Sequence, residues 1–221
     1  MSEQNFKTDL FDQFARIGKA LSSGKRLEML EFLAQGERSV EQLANLARLS
    51  VANTSQHLQQ LRQVGLVTAR KEGLYVHYRI AGDGIVRLLA TLRAVGEENL
   101  ADVNRLVKLF LASKDNLEPV PAKELWQRVK RGLVTVLDVR PAEEYAQGHI
   151  RGAINVPVSE LKKRLHHIPA DQEVVAYCRG PYCLLAFEAV QALRKKGLKA
   201  RRLEHGYPEW KSAGLPTEVS S

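Results

Sequence analysis

Cysteine is almost missing from this chain: two in 221 residues, Cys178 and Cys183. That excludes the multi-bridge framework of small secreted domains, and so close a pair fits a reducing compartment in which any bond between them is transient and functional. The first 115 residues hold none, so thiol sensing in that half is excluded. Long apolar runs are also lacking. No stretch approaches the ~18 residues that a membrane span needs, because Arg87 and Arg93 interrupt the best candidate. The opening Met1-Ser2-Glu3-Gln4-Asn5 is polar, without the basic-then-apolar pattern of an export signal. A cytoplasmic protein that does not engage a membrane is therefore expected. Internal repeats and low-complexity tracts are absent too.

Metal ligands are scarce where a sensor would need them. Val40–Leu49 has no cysteine, and Asp83–Glu98 has no histidine, only one Asp and two Glu. These do not make a four-ligand set. His57 is expected to pack or hydrogen-bond internally, His77 falls on a strand, and His166-His167 are helical neighbours that point apart. No metal and no cofactor are expected. The net charge is +8, but residues 1–115 carry +3 and residues 116–221 carry +5. Bulk charge thus permits nucleic-acid binding without arguing for it.

What is present begins with helices. Phe6, Leu10, Phe14, Ile17 and Leu21 recur every three or four residues, the pattern of an amphipathic helix. A second helix is expected from Ser23 to Ala34, with Leu27, Leu30 and Leu33 inward and Gly36 past its end. Ser39-Val40-Glu41-Gln42 is a capping box. A short helix, a three-residue turn, and a longer helix over Val51–Val64 capped by Ser50 make a helix-turn-helix. In the longer helix Thr54, Leu58 and Leu61 face inward, while Ala52, Asn53, Ser55, Gln56, Gln59, Gln60 and Arg62 lie on the opposite face. Amides and hydroxyls near a helix's amino end suit base edges in the major groove. The candidate DNA contacts are Asn53, Thr54, Ser55, Gln56, Gln59, Gln60 and Arg62; an ordinary solvated face is the plain alternative.

Leu66–Ile80 alternates on either side of Glu72-Gly73 and reads as a hairpin, with Arg70 and Lys71 near its tip and Arg79 on the return strand. A basic tip beside such a helix suits phosphate or minor-groove contact. Two further helical stripes follow, Ile85, Leu88, Leu89, Leu92 and Val95, then Leu100, Val103, Leu106, Val107, Phe110 and Leu111. With the first helix they offer more apolar surface than a small monomer exposes, which favours a dimer.

Residues 5–112 resemble the ArsR/SmtB family of winged-helix repressors, most specifically in Ser55-Gln56-His57-Leu58-Gln59-Gln60-Leu61-Arg62-Gln63-Val64-Gly65-Leu66-Val67 and the hairpin that follows. The resemblance implies a homodimer joined through its first and last helices, bound to a twofold-symmetric operator in double-stranded DNA and released by a signal. Residues 1–112 are thus expected to form a mainly α winged helix-turn-helix domain, 113–121 a polar proline-bearing linker, and 122–221 a second domain.

That second part alternates helix and strand. Leu125 and Val129 lie on a helix, Leu133–Val139 is a nearly continuous apolar strand, and Val174–Tyr177 is another, ending at Cys178. Ligand sites form at the carboxyl ends of strands in open α/β sheets, and loop amides there converge on anions. Those amides, the helix over Leu184–Lys195 and neighbouring Arg179 are expected to favour an ionised, nucleophilic Cys178.

Leu137-Asp138-Val139-Arg140-Pro141, Glu144-Tyr145, Gly148–Pro157, Gly206-Tyr207-Pro208-Glu209-Trp210 and Ala213–Pro216 fall in an order and spacing that resemble a rhodanese domain over roughly residues 117–221. The resemblance implies an α/β domain with a parallel sheet whose loop cysteine accepts a sulfane sulfur as a persulfide. Its active loop has six residues, as Cys178, Arg179, Gly180, Pro181, Tyr182 and Cys183 do; related phosphatase loops are one longer and end in arginine. Pro181, Cys183 and the displaced Gly180 depart from the family's loop. Cys183 could attack sulfur carried on Cys178 or bond to Cys178 directly, or be a small buried side chain. The resemblance puts Arg140 near the loop and Asp138 as a brace, though a structural ion pair serves equally. His149 is expected to fix a loop, and Trp210 to be core.

Two functions are carried forward. The first is a repressor that senses reactive sulfur, such as polysulfide or thiosulfate, through Cys178 and Cys183. The second is a sulfurtransferase working through a Cys178 persulfide, whose DNA-binding part only regulates its own operon.

Overall fold

The computed structural model describes residues 3–112, 118–165, 168–169 and 171–220. Most of the expected linker and the His166-His167 pair lie outside them. By packing, the chain divides into two units, Met1–Ile85 and Val86–Ser221.

The first unit holds helices α1 (Glu3–Leu21), α2 (Gly24–Ala34), α3 (Val40–Ala47) and α4 (Val51–Gln63), of which α3 and α4 start at side-chain caps. The Ser39 hydroxyl accepts from the Gln42 amide while the Gln42 side chain accepts from the Ser39 amide, so two orphan donors of α3 are satisfied together. Ser50 caps α4 more simply, its hydroxyl accepting from the Asn53 amide. Met29, Leu30, Leu33, Leu43, Leu58 and Leu61 are buried between α2, α3 and α4. Each such side chain contributes roughly 1.5–3 kcal/mol of burial.

Strands β2 (Val67–Glu72) and β3 (Tyr75–Ile80) form the hairpin. Pairing of Glu72 with Tyr75 leaves a two-residue turn, Gly73-Leu74, in which Gly73 takes φ +59. Tight hairpin turns need that positive φ, which glycine adopts freely. A short strand the sequence did not reveal, β1 (Arg38–Ser39), adds antiparallel to β3 and makes the sheet three-stranded, in the order β1-β3-β2.

The second unit opens with most of α5 (Asp83–Asn99), then α6 (Ala101–Val107) and a π-helical turn, Lys108–Ala112. Grouping α5 with the elements after it has a visible cause: Arg93 pairs with Glu209 and Glu97 accepts from Tyr182. After α7 (Ala122–Lys130) come β4 (Val134–Asp138), α8 (Ala142–Gln147), β5 (His149–Ile150), β6 (Ile154–Asn155), α9 (Val158–Arg164), β7 (Glu173–Tyr177), α10 (Leu184–Lys195), β8 (Ala200–Arg202), α11 (Tyr207–Ser212) and β9 (Thr217–Glu218).

Four parallel strands are ordered β6-β4-β7-β8, with β5 and β9 paired apart from them. Strand pleating sends alternate residues to opposite faces. Val174, Ala176 and Cys178 therefore join the core with Ala186, Val190 and Leu193 of α10. Val175 and Tyr177 join the other, with Leu125 and Trp210. All five residues of β4 are buried, as a parallel strand covered on both faces requires, while Leu133 just before it is exposed.

Candidate functional site

Strand β7 ends at Tyr177, so Cys178 is the first loop residue and follows the strand's alternation onto the α10 face. Proline fixes the next step. The Cys183 amide donates to the Gly180 carbonyl at 3.2 Å, closing a four-residue turn with Pro181 at its second place, where the fixed φ of proline is preorganised. The turn carries Cys183 back to Cys178. Their Cα atoms are 6.2 Å apart, inside the span a disulfide bridges, and the two sulfurs are bonded to each other. Cys178 is buried and Cys183 half-buried at the N-cap of α10.

A close backbone contact holds the start of the loop. Gly206 has φ −100, which any residue adopts, yet a Cβ there would fall inside the Arg179–Gly180 backbone. The Tyr207 amide donates to the Cys178 carbonyl at 3.1 Å.

Several expectations change. Arg179 does not turn its charge on the sulfur: its Nε and Nη2 donate to the Glu144 carboxylate at 3.0 and 2.6 Å, and Glu144 is buried. In the sequence Glu144 stands only within a motif, and no local signal marks it as the partner of Arg179. Nor do all the loop amides converge on an anion, since Pro181 has none and that of Cys183 is spent on Gly180.

Arg140, which the resemblance puts near the loop as a candidate for its chemistry, is wholly buried and packed for structure. It makes a forked contact with Asp138 at 3.1 and 2.6 Å, donates to the Gly148 carbonyl at 2.8 Å, and lies 4.5 Å from the Tyr207 ring centroid. Burial alone pushes this guanidinium down, but the charge and hydrogen bonds of Asp138 outweigh it and hold it above its ordinary value. Tyr177, buried beneath, is pushed well above its ordinary value by burial and then by Asp138. His149 ties its loop through Nδ1 to the Tyr145 carbonyl at 2.9 Å, and its ring stacks on Tyr145.

The nucleic-acid candidates separate by exposure. Asn53, Gln56, Gln59, Gln60 and Arg62 are exposed along α4, and Ser55 is half-buried. Thr54 must be withdrawn: it is fully buried, and its hydroxyl donates to the Ser50 carbonyl at 2.9 Å, so it cannot reach a base. Gln60 accepts from Arg26 at 2.6 Å. On the hairpin, Lys71 and Arg79 are exposed, whereas Arg70 forks onto Glu37. That contact, first through its hydrogen bond, lowers the Glu37 carboxyl below its ordinary 4.5.

Two family profiles match the chain: "bacterial regulatory protein, arsR family" over residues 23–69 and "rhodanese-like domain" over residues 121–213. The HTH-type transcriptional regulator Rv0324 of Mycobacterium tuberculosis is 46% identical over 212 residues, spanning 96% of this chain and 93% of its own. The chain is an arsR-family transcriptional regulator that carries a rhodanese-like domain.

Among solved structures, this regulator is similar to a homodimeric winged helix-turn-helix DNA-binding domain from Mycobacterium bovis, at 45% identity over 46% of this chain and 93% of that one, with a TM-score of 0.42. It is also similar to a rhodanese-related protein of Thermoplasma volcanium, at 29% identity over 47% of this chain and 99% of that one, with a TM-score of 0.43. Among the described residues of the regulator, no group of three or more His, Cys, Asp or Glu could hold a metal ion, and no helix is long and apolar enough to cross a membrane.

Proposed function

We propose that this regulator is a homodimer whose affinity for operator DNA is set by reactive sulfur acting on Cys178 and Cys183. The observation that carries the reading is the proline-started turn that brings the half-buried Cys183 onto Cys178. A loop built only to hold a persulfide for transfer has no use for a second thiol within bonding range. A sensor needs one, because the second thiol turns a transient adduct into a lasting change of covalent structure.

The chemistry balances without a cofactor. A Cys178 thiolate attacks the sulfane sulfur of a hydropolysulfide; the S–S bond of the donor breaks, and the shortened sulfide leaves with the electron pair. Cys183, as thiolate, then attacks Sγ of the Cys178 persulfide and expels hydrosulfide. The two thiols are oxidised to a disulfide, and the sulfane sulfur is reduced. With thiosulfate the first leaving group is sulfite.

Asn53, Gln56, Gln59 and Arg62 would read bases, and Lys71 and Arg79 would contact phosphate. Dimerisation is supported by exposed Phe6, Phe11 and Phe14 on α1.

The test is anisotropy titration of DNA from upstream of the protein's own gene, before and after treatment with inorganic polysulfide. The parent should change affinity by about 5- to 150-fold, the usual range of such couplings, and Cys178→Ser and Cys183→Ser should not. Equal responses from parent and variants would overturn the reading. Rapid turnover of thiosulfate with no effect on DNA would make the protein a sulfurtransferase instead.

A further inference from the structure

Helix α5 holds the active loop at both of its ends. At the far end, the Tyr182 hydroxyl, next in chain to Cys183, donates to the Glu97 carboxylate. At the near end, Arg93 pairs with Glu209 of α11, the other carboxylate oxygen of Glu209 accepts from the Gly206 amide at 3.1 Å, and Gly206 abuts the backbone of Arg179 and Gly180. Arg87 reaches Ser212 on the same helix α11 at 3.5 Å.

Helical spacing explains how one element does this. Ala90, Arg93, Ala94 and Glu97 recur at three- and four-residue intervals and lie along one face. They line a cavity of about 430 Å³ whose other wall includes Pro181 and Tyr182. A second row on the same helix, Leu88, Leu92 and Val95, is exposed. The cavity gives Tyr182 room to shift, and an apolar row gives α5 something to change.

We infer that Tyr182, through Glu97, is the positioning residue by which the thiol or disulfide state of Cys178 and Cys183 acts on helix α5. The inference rests on the sulfur-sensing reading, and it names the route inside the second unit that such sensing would take. With the disulfide closed, Cys183 is tethered, and its neighbour Tyr182 is held over Glu97. When the bond opens, the turn is free to relax and Tyr182 releases α5. An effector state acts on a distant element only by interacting with it differently in two arrangements, and this hydrogen bond supplies the difference.

Hydrogen exchange of residues 86–99, read by mass spectrometry on fully oxidised and fully phosphine-reduced protein, tests this without DNA. In the parent, exchange should differ between the two states by about fivefold or more, the lower end of such couplings. The difference should vanish in Tyr182→Phe and in Glu97→Ala, which removes the acceptor, while Glu97→Ala still forms the disulfide. No difference in the parent, or its persistence in either variant, overturns the inference. A parent that shows the exchange difference but no change in DNA affinity would leave the route standing and sink the sensing function.

Discussion

A guanidinium shut away from water must have its charge answered by its neighbours, and Arg140 depends on Asp138 for that. Removing one partner of a buried pair leaves the other charge uncompensated, at a cost of about 3–5 kcal/mol. Asp138→Asn should therefore lower the stability of the second unit by about that amount. Both tryptophans, Trp126 and Trp210, lie in this unit and pack edge to face, so the urea midpoint of tryptophan fluorescence measures it directly. Glu37 is only half-buried. Because Arg70 lowers its carboxyl below the ordinary 4.5, its contribution is present above that pH and is lost as pH falls through the lowered value. In an acid titration of the hairpin amides by NMR, this step should be seen in the parent and be absent in Glu37→Gln. Residues of this kind were unequally legible. Scarcity singled out Cys178 and Cys183, but nothing in spacing said that Arg179 would face Glu144 and not sulfur. That choice depends on α8 folding back over the loop, a tertiary fact.

Elements announce themselves when their ends are chemically marked. Ser39, Gln42 and Ser50 gave the starts of α3 and α4, because a side-chain oxygen that satisfies orphan amides is a local device. Strand β1 gave no such signal: it has two residues, one of which doubles as the cap of α3, and it exists only because β3 passes beside it. The loop from Cys178 to Cys183 lies between these cases. Its Gly180-Pro181 punctuation was readable as a turn, whereas its closure onto Cys178 needed the registry of β7 against α10. Replacing Pro181 by glycine should act through the chain's freedom before closure. Such changes are worth about 0.4–1 kcal/mol, so the equilibrium between dithiol and disulfide in a glutathione buffer should move about two- to fivefold toward dithiol. An unchanged equilibrium would remove the proline from the account of why the sulfurs meet. Capping has a parallel check: Ser50→Ala should cost about 1 kcal/mol, seen in the circular dichroism midpoint.

At the scale of the whole molecule, the unresolved demand is apolar surface. Phe6, Phe11 and Phe14 are each more than half exposed on α1, and Leu88, Leu92 and Val95 are exposed on α5. Aromatic side chains left in water forgo roughly 1.5–3 kcal/mol each, and contiguous patches of that kind mark association surfaces on soluble proteins. The periodic pattern of α1 was plain in sequence, but it reads the same whether a helix packs on its own chain or on another. Only the exposure of Phe11 and Phe14, whose rings touch each other edge to face on α1, separates the two. Their exposure also makes the test clean, since changing them removes little packing within the protomer. Phe11→Ser combined with Phe14→Ser should leave the circular dichroism spectrum as in the parent. In sedimentation equilibrium the species should shift from twice the chain mass of 24.8 kDa toward the chain mass itself. A monomer presents one recognition helix where a twofold site offers two half-sites, so operator affinity should fall with it. If the double variant stays dimeric, α1 is not the joining surface, and the exposed row on α5 becomes the place to look.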